Sequence, residues 1–402
     1  MLDNNKVLEK LKEIVPEIEE FLKEKDKVLE NYQRILKTQS QKSLKEITHQ
    51  IENKEPCEAI PSEELELRND FKVPFPESKE WRNLEQALGW AKDVLSKRTT
   101  FAVDGGQDFI GKQLNLPVGI VQTGWFVNHH TSPPSFEKDS DVLIITPKEI
   151  LDNQSKEMSA ETYIGQKRFS REIEKAKEFV NSKKGWEEKG ERMPVVFFDG
   201  AFVISLPRRQ IQENIINLVN ELVELSKEAK VPVVGYIDRS NSHELLSFFD
   251  SCDDSSYEGE KIRLDDSLLI YGLKLLENWG DRTIFFRSRR RDLFQKNETN
   301  DLPIGFVYLR VSENGFPVRL DIPSWVFDEG YLDETIEVVM AECIVGKAYP
   351  YCLSSADEMA CIKESETKRL LEALERSSII PTLKTEISRK SLTKLASRGF
   401  LL

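Results

Sequence analysis

Two short apolar runs in this chain each lead directly into an aspartate and a glycine: Thr100-Phe-Ala-Val-Asp-Gly-Gly106 and Val195-Val-Phe-Phe-Asp-Gly-Ala201. β-Branched and aromatic residues bounded by turn formers read as strands. A long helical, Glu-bearing segment separates the two runs. The pattern therefore places two carboxylates, Asp104 and Asp199, at strand ends, where an oxygen-rich site for a hard divalent cation can be built.

The rest of the composition narrows the class of molecule. A chain of 402 residues has room for two or three domains, or for one decorated α/β domain. Charged residues make up 32% and hydrophobic residues 39%, which excludes a disordered or membrane-embedded chain. No apolar stretch approaches the roughly 20 residues that span a bilayer. Met1-Leu-Asp-Asn-Asn-Lys6 has no signal-peptide apolar block, so a cytoplasmic location is expected. The cysteines at 57, 252, 343, 352 and 361 are odd in number and lack a CxxC pair, which argues against a disulfide framework and a zinc site. They are expected to be reduced and mostly buried. A net charge of −13 argues against coating nucleic acid nonspecifically, although it is compatible with a local basic groove.

Residues 1–55 carry apolar positions at helical spacing (Val7, Leu8, Leu11, Ile14, Val15, Ile18, Phe21, Leu22). Pro16 predicts a kink or two helices. This segment is expected to be a packing or dimerisation arm, with a solvated helical hairpin as the alternative. Residues 56–97 read as a Pro-containing linker followed by a helix at about 78–97. Strands are then predicted at about 100–104, 118–128 and 141–146, a helix at 157–182, strands around Asp199, a helix at 208–229 and a strand at 232–238. Two β-like runs, 304–311 and 317–322, flank Asn314-Gly315, a hairpin turn signal. Helices at 331–346 and 355–377 close a domain spanning 98–380, and 381–402 form a basic tail.

Three strands, a helix, a strand, a helix, a strand and late helices is the element order of the ribonuclease H-like fold. A mixed central sheet flanked by helices, plus the N-terminal helical extension, is therefore expected. That fold carries carboxylates on its first strand, first helix, fourth strand and a C-terminal helix. Here Asp104, Glu172 or Glu174, Asp199 and Asp357 stand in those places. Two divalent ions about 3.5–4 Å apart can hold a scissile phosphate and activate a water between such groups. Each acid also has a plain reading. Asp-Gly is a common turn, Arg168 and Glu172 form an ordinary helical i,i+4 pair, and Asp357 suits a helix N-terminus.

These residues resemble the NurA nucleases, which work with a HerA-type hexameric DNA translocase. The likeness rests on Ala102-Val-Asp-Gly-Gly106, Arg168-x-x-x-Glu172 and Val196-Phe-Phe-Asp-Gly200. It continues through Val234-Gly-Tyr-Ile-Asp-Arg-Ser-Asn-Ser-His-Glu-Leu245 and ends with Tyr349-Pro-Tyr-Cys-Leu-Ser-Ser-Ala-Asp-Glu-Met-Ala360. The resemblance implies a manganese-dependent nuclease, with Mg²⁺ as the other candidate, that trims DNA ends 5′ to 3′ and cuts single strands in double-strand break repair. It assigns Asp104, Glu172, Asp199 and Asp357 as ligands of two ions, with Tyr349 as the late tyrosine of the site. Family members often have histidine where Asp357 stands, and serine where this chain has Gly106. A HerA-type partner and a homodimer are expected on the same basis.

Arg287-Ser-Arg-Arg-Arg291 is the densest basic cluster, so Arg287, Arg289, Arg290 and Arg291 are candidate phosphate contacts. Arg239, after the strand at 232–238, is another. His129 and His130 read as loop residues, and Trp125, Tyr236 and Phe306 as core rather than base-stacking platforms. Two other classes compete. A noncatalytic adaptor could keep this fold and bind a translocase. An actin-like phosphotransferase would need further glycine-rich phosphate loops, and the chain has no GxxxxGK[ST] motif.

Overall fold

The computed structural model describes residues 3–52, 54, 57–68, 70–76, 81, 83–110, 117–154, 158–202, 209–253, 264–290, 303–313, 315–363, 365–367, 369 and 373. In chain order the elements begin with α1 (Asn4–Gln39), α2 (Leu44–Ile51), β1 (Ala59–Pro61), α3 (Glu64–Arg68), β2 (Lys72–Val73) and α4 (Leu84–Leu95). There follow β3 (Thr100–Phe109), β4 (Gly119–Asn128), β5 (Phe136–Ile145), α5 (Pro147–Gln154), α6 (Ala160–Ser182), β6 (Val195–Asp199), α7 (Arg209–Ala229) and β7 (Val233–Ile237). The remainder is α8 (Glu244–Cys252), α9 (Asp266–Gly272), β8 (Arg282–Thr283), β9 (Phe286–Ser288), β10 (Ile304–Leu309), β11 (Val318–Pro323), α10 (Ser324–Asp328), α11 (Leu332–Val345) and α12 (Tyr351–Ala360). This is a mixed α/β fold. Among the described residues no helix is long and apolar enough to cross a membrane.

The contacts divide the chain into two compact units. One comprises Leu84–Tyr236 and Trp325–Leu402. Its strands run in the order β7-β6-β3-β4-β5. β3, β4 and β5 form an antiparallel meander, while β6 lies parallel to β3 and β7 parallel to β6. β3 and β6 are central, which is why Phe101-Ala-Val103 and Val195-Val-Phe-Phe198 are apolar without alternation and wholly buried. α6 covers one face. It starts at Ser159, whose hydroxyl accepts the Thr162 N–H at 3.1 Å, and it buries Phe169, Ile173, Ala176 and Val180 at helical spacing.

The other unit comprises Met1–Asn83 and Ile237–Ser324. β1 pairs with β9, β9 with β10, and β10 with β11, all antiparallel, while β2 pairs with β8. Phe71, Phe248, Phe249, Phe286 and Phe306 fill its core, and Val28 and Ile35 of α1 pack there too. A capping box at Ser43 and Glu46 starts α2.

Several boundaries differ from the reading of the sequence. β3 runs five residues past Asp104, because β4 pairs with it as far as Phe109 opposite Gly119. Asp104 is therefore a mid-strand residue. The segment expected to be a linker supplies β1 and β2, whose pairing with β9 and β8 draws it into a core. Trp81 stands outside α4 and packs edge-on against Trp279. α1 continues through Pro16 as one helix. α12 begins at Tyr351 and ends at Ala360, where Cys361 turns extended. Arg291, Asn314 and the tail 381–402 lie outside the described residues.

Candidate functional site

The parallel partner of β3 stops one residue short of Asp104. Val103 opposes Phe198, and β6 ends at Asp199. The two aspartates thus meet at the carboxyl end of the parallel pair, the usual place for a site in an open α/β sheet. Their shared signature in sequence is the place where one strand loses its neighbour.

Glu172 reaches this place from α6. The residue is 2% exposed on the buried stripe of that helix, between Phe169 and Ile173. Gly105 makes the approach possible, since a Cβ there would overlap Glu172 Oε1 and come within 2.6 Å of Arg168 Cγ. Arg168 braces the junction. Its Nη1 donates to the Gly105 carbonyl at 2.9 Å and stands 3.2 Å from Glu172 Oε1. That ion pair lacks hydrogen-bond geometry, so Glu172 Oε1 is buried without a hydrogen-bond partner, as is Arg168 Nε. Glu174 is half exposed, pairs with Arg171, and lines a polar hollow with Trp125, Asp141 and Lys175. The structure brings Glu172, not Glu174, to Asp104.

Asp357 arrives on α12, which lies close against β3 and β4. Cβ atoms at Gly106 or Gly124 would overlap the backbone of Met359 and Ala360. Asp357 sits in the last turns of α12, where the helix dipole disfavours an acid, so the N-terminal-acid reading does not hold. Glu342, fully buried on α11, ties these elements together. One oxygen accepts from Thr100 Oγ1 at 2.8 Å and the other from the Cys352 N–H at 3.0 Å, in the first turn of α12. His130 Nε2 lies 3.2 Å from the first oxygen, so His130 is a structural member of this network. Tyr349 donates its hydroxyl to Asp199 Oδ1 at 3.1 Å, and its ring meets Tyr236 edge-on.

The carboxylates act on one another. Burial, with the charges of Asp199 and Asp357, raises the Asp104 pKa to about 6 against the opposing hydrogen bond from the Gly105 N–H. Burial pushes Glu172 up to about 8, Arg168 pulling the other way and Asp104 and Asp199 adding to the rise. Groups that mutually disfavour ionisation in a buried corner mark a site that gains from a cation. Among the described residues no three His, Cys, Asp or Glu side chains are clustered tightly enough to hold an ion as they stand. The donors fit a hard divalent ion in kind and in charge, and their repulsion opposes closer convergence.

The expected DNA-contacting arginines belong to the other unit. Arg239 pairs with Asp265 at 3.2 Å and lies over the Phe316 ring. Arg287 stands 3.5 Å from Glu63, and the Arg289 N–H bonds the Glu58 carbonyl. Trp125 carries the Lys175 ammonium over its ring at 3.8 Å, whereas Tyr236 and Phe306 are core. Cys57, Cys252, Cys343 and Cys352 are buried and Cys361 is exposed, all as free thiols. Reading the sequence missed the roles of Glu342 and of Arg168 as a brace. An acid inside the apolar stretch Ile336–Ile344 was the available signal for Glu342.

No curated protein and no solved structure matches this chain. A family model described as the NurA domain matches residues 98–362, from the residue that leads into β3 to the two residues past α12, and so brackets all four acids. With that match over more than half its length, the chain belongs to the NurA family, whose members are generally nucleases with a role in DNA processing.

Proposed function

We propose that this chain is a divalent-metal-dependent DNA nuclease whose ions are held by Asp104, Glu172, Asp199 and Asp357. The observation that carries this reading is that, where β6 ends beside β3, Asp104 and Asp199 act on the buried Glu172 carboxylate, whose Oε1 has no hydrogen-bond partner, while Asp357 acts on Asp104. An all-oxygen set suits Mn²⁺ or Mg²⁺, with water and substrate phosphate completing the coordination. The meander followed by parallel strands supports a ribonuclease H-like core for this unit.

Bound at such a site, two ions would polarise the scissile phosphate and lower the pKa of an attacking water. The chain's own residues supply position. Glu172 is fixed by its place on the buried face of α6 and by Arg168. Asp199 is oriented by the Tyr349 hydroxyl. Asp357 is held by the backbone contact of α12 with Gly106 and Gly124.

Family membership extends the proposal to 5′-to-3′ trimming of DNA ends and single-strand cutting, in break repair alongside a HerA-type translocase. The test compares wild type with Asp104→Ala and Asp199→Ala on labelled single- and double-stranded DNA in Mn²⁺, Mg²⁺ or EDTA. Cleavage should require the metal and fall at least about 10³-fold in each variant, the loss of a group worth about 4 kcal/mol in the transition state. Metal-independent cleavage, no cleavage, or equal cleavage by the variants would overturn it.

A further inference from the structure

In a chain of net charge −13, the unit without the acids gathers cations around two accessible aromatic rings. Arg239 Cζ lies 3.9 Å over the centre of the Phe316 ring, and Tyr271 meets the same ring at 4.9 Å with a tilt of 52°. Tyr271, in the last turn of α9, is 50% exposed, and the Arg239 side chain is 41% exposed. Two more cations join them through the turn that follows α9. The Lys274 N–H bonds the Tyr271 carbonyl, and Arg310 Nη1 donates to the Leu276 carbonyl at 3.0 Å. Among the described residues neither of these side chains forms an ion pair.

Arg239 projects from a loop whose backbone is fixed from beneath. The Ser242 carbonyl accepts the Asp266 N–H at 2.9 Å, the Ser240 carbonyl accepts the Ser267 hydroxyl at 3.2 Å, and the buried Arg319 donates to the Ser242 hydroxyl oxygen at 2.8 Å. Asp265, the N-cap of α9, takes one edge of the Arg239 guanidinium at 3.2 Å. Stacking and ion pair together hold the fork in one place, so its remaining N–H groups meet a ligand with little rotamer entropy left to lose.

Fixed guanidinium donors suit phosphate oxygens, and an exposed ring beside them suits the face of a nucleobase. Within a duplex that face is already stacked on its neighbours, so the ring can take only an unpaired base.

We propose that Tyr271 and Arg239, with Phe316 between them, form a contact site for single-stranded nucleic acid, in which Tyr271 stacks an unpaired base and Arg239 grips the adjoining phosphate. The choice of polymer rests on the nuclease reading, but the residues all belong to the unit without the acids and the contact needs no metal.

Fluorescence anisotropy of the full chain in EDTA tests this, with a labelled thymidine oligonucleotide alone or annealed to its complement. The single strand should bind more tightly than the duplex. Tyr271→Ala should weaken single-strand binding at least about fivefold, the loss of one stacked base, and leave duplex binding unchanged, while Tyr271→Trp should restore it. Arg239→Gln should flatten the logarithmic salt dependence of single-strand binding by about 0.7, the share of one phosphate contact. A 5-iodouracil oligonucleotide irradiated with the wild-type chain should cross-link to Tyr271, a readout that does not depend on how a variant folds. No binding in EDTA, no preference for the single strand, equal loss of both substrates in Tyr271→Ala, or cross-linking only elsewhere would overturn the proposal while leaving metal-dependent cleavage and its loss in Asp104→Ala untouched. Cleavage that ignores Asp104→Ala would sink the nuclease reading, with the anisotropy results still standing.

Discussion

Glu172 shows most clearly what a single residue does here. It occupies a position on α6 that the helix otherwise fills with Phe, Ile and Ala, and its burial is tolerated only because Gly105 has no side chain. Gly105→Ala should therefore displace the carboxylate and lower cleavage by at least about 10²-fold, at a stability cost of about 1–3 kcal/mol for the overpacked contact. Steady-state rates and urea unfolding of the same variant would separate the two effects. The raised pKa values give a second prediction. Asp104 at about 6 and Glu172 at about 8 hold protons in the folded state that the unfolded chain releases near 4. The folded form thus binds more protons between those limits, and stability in EDTA should fall as pH rises from about 4 to 8. Glu172→Gln removes much of that slope. At pH 9 it should be more stable than wild type by a few kcal/mol, at about 1.4 kcal/mol per pKa unit, while losing cleavage. Equal slopes in urea titrations of the two proteins would contradict this.

Among elements, α12 depends on what its first turn is tied to. Its N-terminus at Cys352 is held by Glu342, which also holds β3 through Thr100, so one buried carboxylate fixes the two elements that carry Asp357 and Asp104. Glu342→Leu strips two donors of their partner. It should cost about 3 kcal/mol, seen as a lower urea midpoint, and should raise the Mn²⁺ concentration needed for cleavage by letting Asp357 move. The order of these elements was legible in sequence because β3, β6, α6 and α11 carry unmistakable apolar patterns. The ends were not. β3 extends past Asp104 because β4 continues to pair with it, and α12 starts early because Glu342 caps it. Both depend on pairing and hydrogen bonds that propensity within the element does not show. Glu172 and Glu174 could not be separated by spacing between motifs, yet the burial stripe of α6 separates them at once.

On the scale of the whole molecule, two compact units share one chain that crosses between them three times, at 83/84, 236/237 and 324/325. The unit without the acids is organised around Arg319, which is buried between Glu244 and Asp321 at 2.8 and 2.7 Å. Arg319→Leu would leave two buried carboxylates uncompensated and should destabilise that unit by about 3–5 kcal/mol, measurable by calorimetry. The sequence by itself determined a mixed α/β chain with acids in a particular order and an apolar row along α1, because period and composition are local properties. It did not determine that residues 59–73 pair as strands with partners more than two hundred positions away. Nor did it determine which acid on α6 reaches the site or which buried group anchors α12. Those outcomes rest on contacts between distant segments, where burial and the absence of a Cβ at Gly105 decide what fits, and only the tertiary structure brings such segments together.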